Sequence, residues 1–438
     1  MAAHTTDRKA DGYIDNYYTH NLHEDTRYPT LSGAEEADVC VVGGGLAGLN
    51  TALGLVERGK TVVLVEAHRI GWGASGRNAG FVAKGYAAGE QNLAKKLGLE
   101  KAQQLVSLTK NARKLIKKRI ADYNIDCGPV KDGVLTVSYR DRAEDLKKTI
   151  DRANDNFGLG FEFWPRDKVR QHCKTEKYFD GIFSPNDYQF NPLEYLRGLA
   201  KTVTAKGGRI FENSAAVKIN KEGAGWVVHT GQDGAAGGRV KAKDIVLSCA
   251  IYMEGLDRRL ENAAFPVQTY MMTTQPVDPQ VLKDAIDTPH CIYDTRFCSD
   301  YYRLLPGGRL MWGGRVGLWA HPENIAQTML GDIYNVYPQL KGHLVPEFSW
   351  AGKLCYAPHK MPQIGKIEEG YWYNTGYGGH GLCPTTAGSE VVAAAIAEGD
   401  KTYQQFAPFG ISYAGGKLGR YAAQMVYWWW KARDILDV

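Results

Sequence analysis

No stretch of this 438-residue chain holds the roughly eighteen consecutive apolar residues that a membrane-spanning helix needs, so stable insertion into a bilayer is not expected. The first residues, MAAHTTDRKADGYIDNYY, lack the apolar core of a secretory leader, and the expected site of action is the cytoplasm. Its eight cysteines are scattered, with no CxxC pair and no His/Cys cluster at zinc spacing, which points to reduced thiols and no metal centre. A net charge of +5 is too mild to imply a nucleic-acid partner. The densest basic stretch, Lys110 to Arg119, carries Leu115, Ile116 and Ile120 at helical spacing and reads as the solvated face of a helix. There is no internal repeat. What remains is an ordinary globular composition in a chain long enough for two lobes.

The first 30 residues, polar and aromatic without a period, read as an arm lying over the fold. The strongest local signal follows. Asp38 to Val42 is a short apolar run suited to a strand buried on both faces. GGGLAG comes next, then a helical pattern through Leu49, Leu53 and Val56 closed by Gly59, and a second buried strand, Thr61 to Val65, ending at Glu66. Further on, 91–123 has helical periodicity, and 134–138 and 182–190 look extended. Leu193 to Lys206 reads as a helix stopped by Gly207 and Gly208. Ala215 to Ile219, Trp226 to Thr230 and Ile245 to Ser248 are strand-like, the last two joined by a Gly/Ala-rich turn at 231–238. Pro306-Gly307-Gly308 separates YYRLL from RLMWGG as a hairpin. A helix over Ala387 to Ala397 stops at Gly399, and an aromatic helix, Leu418 to Ile435, ends the pattern.

Gly43, Gly45 and Gly48 form GxGxxG, where glycines permit a tight turn, backbone approach to a pyrophosphate and close packing of helix on strand. The helix N-terminus at Leu46 and Ala47 supplies positive potential to phosphates. Glu66 stands about twenty residues on, where a carboxylate accepts ribose hydroxyls and disfavours a 2'-phosphate. Strand, glycines, helix, second strand and acid in this order indicate an adenine dinucleotide other than NADP.

Three places carry a family resemblance: this fingerprint, the small-residue loop GWGASGRNAGF (71–81), and YNTGYGGHGLCPTT (373–386) leading into the Ala387 helix. Together they resemble the D-amino-acid-oxidase superfamily of FAD enzymes over nearly the whole chain. In detail the sequence is similar to bacterial γ-glutamylputrescine oxidases and L-pipecolate oxidases, which share the GWGASGRN loop, the DYYRL…GG hairpin, the MPQ turn, the GHG loop and an aromatic tail. The resemblance implies an α/β, glutathione-reductase-like FAD-binding Rossmann domain with an interleaved mixed or antiparallel-sheet substrate domain. The FAD domain is expected to gather 31–90, 186–265 and 356–438 beneath the 1–30 arm. The substrate domain would take 91–185 and 266–355. Resemblance also assigns FAD contacts to Ala67, Gly73, Ala74, Ser75, Arg77, Asn78 and Ala79, to Val217 on the adenine side, to Ala250, and to Gly378, Gly379, His380, Gly381 and Leu382. The expected reaction takes a hydride from a carbon bearing an amine nitrogen and leaves an imine. A small amine or amino acid would be the substrate and oxygen or another acceptor the oxidant.

Candidate catalytic residues are His380, Arg315 and Tyr302. His380 either stabilises charge developing at the flavin pyrimidine or holds a backbone carbonyl as a loop residue. Arg303 and Arg315 either anchor a distant carboxylate or form structural ion pairs. Tyr301, Tyr302 and Tyr377 are possible walls. Some relatives anchor an α-carboxylate with a cation in or after the GHG loop; here Leu382 and Cys383 follow His380, which argues against that mode. Met311 occupies the position of the lysine that serves oxygen in sarcosine oxidases, leaving a quinone or protein acceptor open. Tryptophans 428–430 are expected to pack on the FAD domain rather than on a membrane surface, since the run covers more than one helical face and basic residues are few. The rival readings are an L-pipecolate-type oxidation and a non-catalytic flavin-binding subunit or sensor.

Overall fold

The Asp38–Val42 run forms the end of a longer strand, Ala34–Val42, whose last four residues are all buried. This computed structural model describes residues 12–232, 235–317 and 324–436. Ala34–Val42 lies between two parallel neighbours, pairing Val42 with Leu247 of Ala235–Leu247 on one side and with Val65 of Val62–Val65 on the other. Arg209–Phe211 and Tyr371–Thr375 extend the parallel order outward, and Gln363–Glu368 closes one edge antiparallel. Alternation along the central strands explains the layering. Val39 and Val41 face a core shared with helices Leu46–Val56, Pro192–Ala205 and Leu382–Glu398. Cys40 and Val42 face a second core with Trp226, Val228 and Val240, from strands Gly225–Gln232 and Ala235–Leu247. Two of the residues in the 231–238 turn, 233 and 234, lie outside the described residues.

A second sheet takes its strands from other parts of the chain, in the order Pro346–Tyr356, Phe265–Thr274, Arg309–Gly317, Tyr301–Leu305, Cys291–Asp294, Lys131–Val137, Gly181–Gln189 and Phe81–Val82. Only the Cys291–Asp294 pairing with Lys131–Val137 is parallel within this sheet. The fold class is therefore the expected one: a parallel nucleotide-binding sheet with an interleaved, mainly antiparallel second sheet. Phe81–Val82, within the 31–90 segment, pairs with the second sheet, and Gly181–Gln189 runs across the 185/186 boundary.

Three local expectations are corrected. The helical stretch 91–123 is two helices, Glu90–Leu97 and Leu99–Asp122, broken at Gly98 because its φ of +87° leaves the helical region. The basic face of the second helix is only partly solvated. Arg119 is buried, with its guanidinium on Asn50 at 2.9 Å, Glu57 at 2.8 Å and Glu390 at 2.6 Å, tying this helix to two of the three helices that cover the first sheet. The C-terminal helix Gly416–Leu436 packs against the second sheet, not the first. Tyr427 Oη accepts the Val316 amide at 3.1 Å and Asp434 accepts the Phe297 and Cys298 amides at 3.0 and 2.9 Å. Trp430 turns inward onto Phe297, while Trp428 and Trp429 face outward.

Residues 1–11 of the arm lie outside the described residues, and two tyrosines of its remainder reach into the fold. Tyr13 and Tyr18 are buried, their phenols donating to the carbonyls of Ile70 and Asn78, each at 2.7 Å. These bonds clamp both ends of the small-residue loop.

Candidate active site

The glycine turn is closed by the Gly43 amide, which donates to the Val65 carbonyl at 2.8 Å. A Cβ on Gly48 would lie 1.8 Å from the Gly43 carbonyl oxygen, so the helix can approach the strand only with glycine there. Gly45 caps the helix Leu46–Val56 without a side-chain bond, and Ser75 Oγ accepts the Leu46 amide at 3.1 Å. Glu66 accepts the amides of Gly44 at 2.5 Å and His68 at 2.9 Å. Burial pushes its carboxyl up and those amides hold it down. Each carboxylate oxygen keeps a second lone pair for a hydroxyl.

These groups open on a cavity of about 1340 Å³. Of the expected contacts, Gly43, Gly45, Glu66, Ala67, Gly73, Ser75, Val217 and Ala250 line it. Its wall also holds Trp72 and Tyr252, edge to face at 5.6 Å, and Lys353 from the second sheet. These three were missed in the sequence. Trp72 and Tyr252 resemble core aromatics in any pattern, and Lys353 is an ordinary exposed position of an alternating strand. Ser248 Oγ, also in the lining, is buried with no hydrogen-bond partner among the described residues. A turn that excludes side chains, a helix N-terminus, a carboxylate and an unsatisfied hydroxyl on one cavity suit a dinucleotide.

Leu46, Ala47 and Gly48 stand behind the turn, in the helix, and Ala74 begins a short 3₁₀ turn, Ala74–Gly76. Asn78 serves its own loop, donating to Ser75 O at 2.6 Å and accepting the Gly80 amide at 2.8 Å. Ala79 is buried against the arm. Arg77 donates to Trp72 O at 2.7 Å and Ala351 O at 3.2 Å and lies 4.4 Å over the Trp72 ring, so it braces the loop against the second sheet. Its Nη2 has no partner among the described residues. Burial pulls this guanidinium down to about 10, which leaves it charged at neutral pH.

The GHG loop lies apart from the lining. The Gly378 amide donates to Cys355 O at 2.8 Å, Gly378, Gly379 and Gly381 form the turn, and Leu382 starts the helix Leu382–Glu398. His380 Nε2 sits 3.0 Å from the Ala83 carbonyl and 3.1 Å from that of Lys84. Two carbonyl acceptors require Nε2 to carry the proton. The Lys84 ammonium is buried, donating to Ser184 Oγ at 2.7 Å and facing Asp187 at 3.2 Å, and Arg113 shares that carboxylate at 3.0 Å. Burial lowers the lysine and Asp187 opposes the shift.

The hairpin candidates separate. Tyr302 is fully buried, stacked on Trp312 at 4.2 Å and bonded to the Tyr337 phenol at 2.6 Å, in a core formed on the face of the sheet away from the arm. Packing on every side keeps reactants away from Tyr302, against its expected catalytic role. Arg315 grips Asp332 through two bonds and is a structural ion pair. Arg303 is buried without a carboxylate partner among the described residues. It donates to Phe190 O at 3.0 Å and Gln189 Oε1 at 3.2 Å, beneath Tyr18 of the arm. Met311 is buried under the same tyrosine, and Tyr301 bonds Thr269 at 3.0 Å.

Residues 38–395 match the profile of the FAD dependent oxidoreductase family, DAO. The chain belongs to the DAO family. Among DAO-family relatives, it is 30% identical over 413 residues to a probable oxidoreductase, OrdL, of Haemophilus influenzae, covering 93% of this chain and 94% of that protein. It is 29% identical over 401 residues to the gamma-glutamylputrescine oxidoreductase of Escherichia coli, covering 90% and 92%. The glycine oxidase of Geobacillus kaustophilus has the same fold, with a TM-score of 0.69 at 19% identity over 86% of this chain and 99% of that one. This DAO-family protein is an FAD-dependent oxidoreductase, a family whose members act on amines and amino acids. A non-catalytic flavin carrier is the reading this overturns. Among the described residues, no helix is long and apolar enough to cross a membrane.

Proposed function

We propose that the chain oxidises an amine whose reacting carbon carries no adjacent carboxylate, with γ-glutamylputrescine as the type of substrate. The observation that carries this reading is the fate of the cations. The GHG loop and first helical turn, 378–386, contain none, Arg315 is held by Asp332, and Arg303 is closed over by the arm. Lys84 is likewise held by Asp187, Arg77 braces the 71–81 loop, and Lys353 faces the dinucleotide cavity; an α-amino acid would need one of these cations released for its carboxylate. The similarity to the gamma-glutamylputrescine oxidoreductase over nine-tenths of the chain points the same way.

In this reading the first sheet holds the cofactor and the second covers the substrate. The Gly43–Gly48 turn and the Leu46 helix N-terminus bind the pyrophosphate, Glu66 the ribose, Val217 and Ala250 the adenosine side, and Ser248 Oγ supplies a free hydroxyl to the same cavity. When bound, FAD accepts the hydride. His380 acts as a positioning residue: through Ala83 and Lys84 it fixes the GHG turn, whose Gly379 and Gly381 amides and helix N-terminus give positive potential to the reacting side. The substrate amine enters uncharged, so its lone pair assists hydride loss, and the imine product is hydrolysed by water.

Anaerobic mixing of the FAD-loaded protein with candidate amines tests this. Bleaching of the flavin by γ-glutamylputrescine and by carboxylate-free amines is expected, with L-pipecolate and glycine leaving it oxidised. Bleaching by the two amino acids alone would overturn the proposal.

A further inference from the structure

Tyr427, Trp430 and Asp434 anchor one side of the C-terminal helix Gly416–Leu436. They bind the second sheet and its 297–298 loop, and Gln424 is buried. Lys360 sits 4.5 Å over the inner Trp430 ring. The opposite side carries Leu418, Tyr421, Met425, Trp428 and Trp429, at i, i+3, i+7, i+10 and i+11, and each is more than half exposed. At about 100° per residue these form one stripe covering roughly a third of the helix circumference. Because the inner side is fixed, the stripe is a permanent surface of the folded protein. Exposed aromatic clusters of this kind mark interaction sites.

We propose that this stripe docks the protein, in the plane of the interface, on an anionic lipid bilayer. Two observations select that occupant. The 416–436 segment holds four basic residues and one acid; that acid, Asp434, is bound to backbone amides and Arg433 lies over the Phe297 ring, while Lys431 is exposed, so the helix carries a net positive charge that favours a negative surface. Tryptophan and tyrosine beside a methionine and a leucine are the residues that settle at headgroup depth. A second copy fits less well. At about 1.5 Å rise per residue and a width near 10–12 Å the stripe offers on the order of 200 Å², about a quarter of what each partner buries in a stable interface. It would also set like charges against each other. The helix rests on the bilayer and does not span it, in keeping with its inner face being buried in protein.

The test is co-sedimentation of the full-length, FAD-loaded protein with vesicles of mixed phosphatidylcholine and phosphatidylglycerol, beside vesicles of phosphatidylcholine alone. Binding to the mixed vesicles, weakened by added salt, is expected. Trp428→Ser with Trp429→Ser should reduce it by roughly tenfold or more, with flavin content and melting temperature unchanged. Leu418→Ser with Met425→Ser should do the same by an independent route. Quenching of tryptophan fluorescence by nitroxide-labelled lipid should disappear in the tryptophan double variant. Failure of the wild-type protein to bind the mixed vesicles would overturn the proposal. So would unchanged binding by both double variants, or a wild-type dimer in solution that the same substitutions disperse.

Discussion

Arg315 and Asp332 form a two-point fork, with Nε and Nη2 at 2.6 and 2.8 Å from the two carboxylate oxygens, and Arg315 does this from a left-handed backbone position at φ +54°. A non-glycine residue held there is strained, and the fork is what its side chain gains in return. The pair bridges the Arg309–Gly317 strand to the helix Ile325–Val336. Arg315→Met is expected to lower stability by about 1 kcal/mol, the upper range for a partly exposed pair, while KM for the amine stays unchanged. Thermal melting and steady-state kinetics check this. A rise in KM of about tenfold, worth 1.4 kcal/mol, confined to carboxylate-bearing substrates would instead make Arg315 an anchor.

Two glycines of the turn should differ in kind. A Cβ on Gly48 would meet the Gly43 carbonyl at 1.8 Å, a backbone atom that cannot move aside, whereas one on Gly45 would meet Ser75 Oγ at 3.0 Å. Gly48→Ala is expected to be unstable and colourless. Gly45→Ala should fold with a near-normal melting temperature before cofactor is added, yet retain less FAD, because its methyl enters the cavity. Circular dichroism and the ratio of flavin to protein absorbance separate the two effects.

The difference between these glycines marks how far the sequence could be read. Spacing placed the turn, the acid and the parallel strands, since buried strands and tight turns constrain nearest neighbours. It could not show that Asn78 serves its own loop, that Arg77 braces Trp72 and Ala351, or that Arg119 reaches two other helices. Each depends on partners far away in the chain. Tyr302 illustrates the same limit: alternation put it on one face of a hairpin, but which face met the first sheet was decided by Tyr18 and Trp350 packing near Met311. Lys353 carried no signal, being one polar residue of a strand whose neighbour Gly352 happens to approach Ala74.

Asp300 gives a prediction in pH. Burial raises its carboxyl to about 7, opposed by Arg296 and reinforced by Asp294 and Asp332. In the unfolded chain it titrates near 3.9, so between about 4 and 7 the folded state holds a proton that the unfolded state has lost. Stability from this group is therefore present at low pH and declines as pH rises through that window. The wild-type melting temperature should fall from pH 5 to pH 7.5 by more than that of Asp300→Asn, which cannot ionise. Parallel melting curves for the two proteins would remove Asp300 from the account.

His380 decides between a charge and a clamp. Its Nε2 is engaged by the carbonyls of Ala83 and Lys84, the second of which belongs to the lysine held by Asp187 and Ser184. Loss of the ring would free the GHG turn from the residues after Phe81–Val82, and displacement of a reacting group by about 1 Å can cost on the order of 10²-fold in rate. His380→Ala should therefore slow flavin reduction by roughly 10- to 10²-fold once saturated with FAD. Glutamine places an N–H near the Nε2 position and can donate to both carbonyls without ever becoming cationic. If the side chain acts by position, His380→Gln recovers the rate to within a few-fold, whereas a direct electrostatic role leaves Gln as slow as Ala. Stopped-flow reduction of both variants across pH distinguishes the two, because a positioning role also predicts the wild-type pH profile in the glutamine variant.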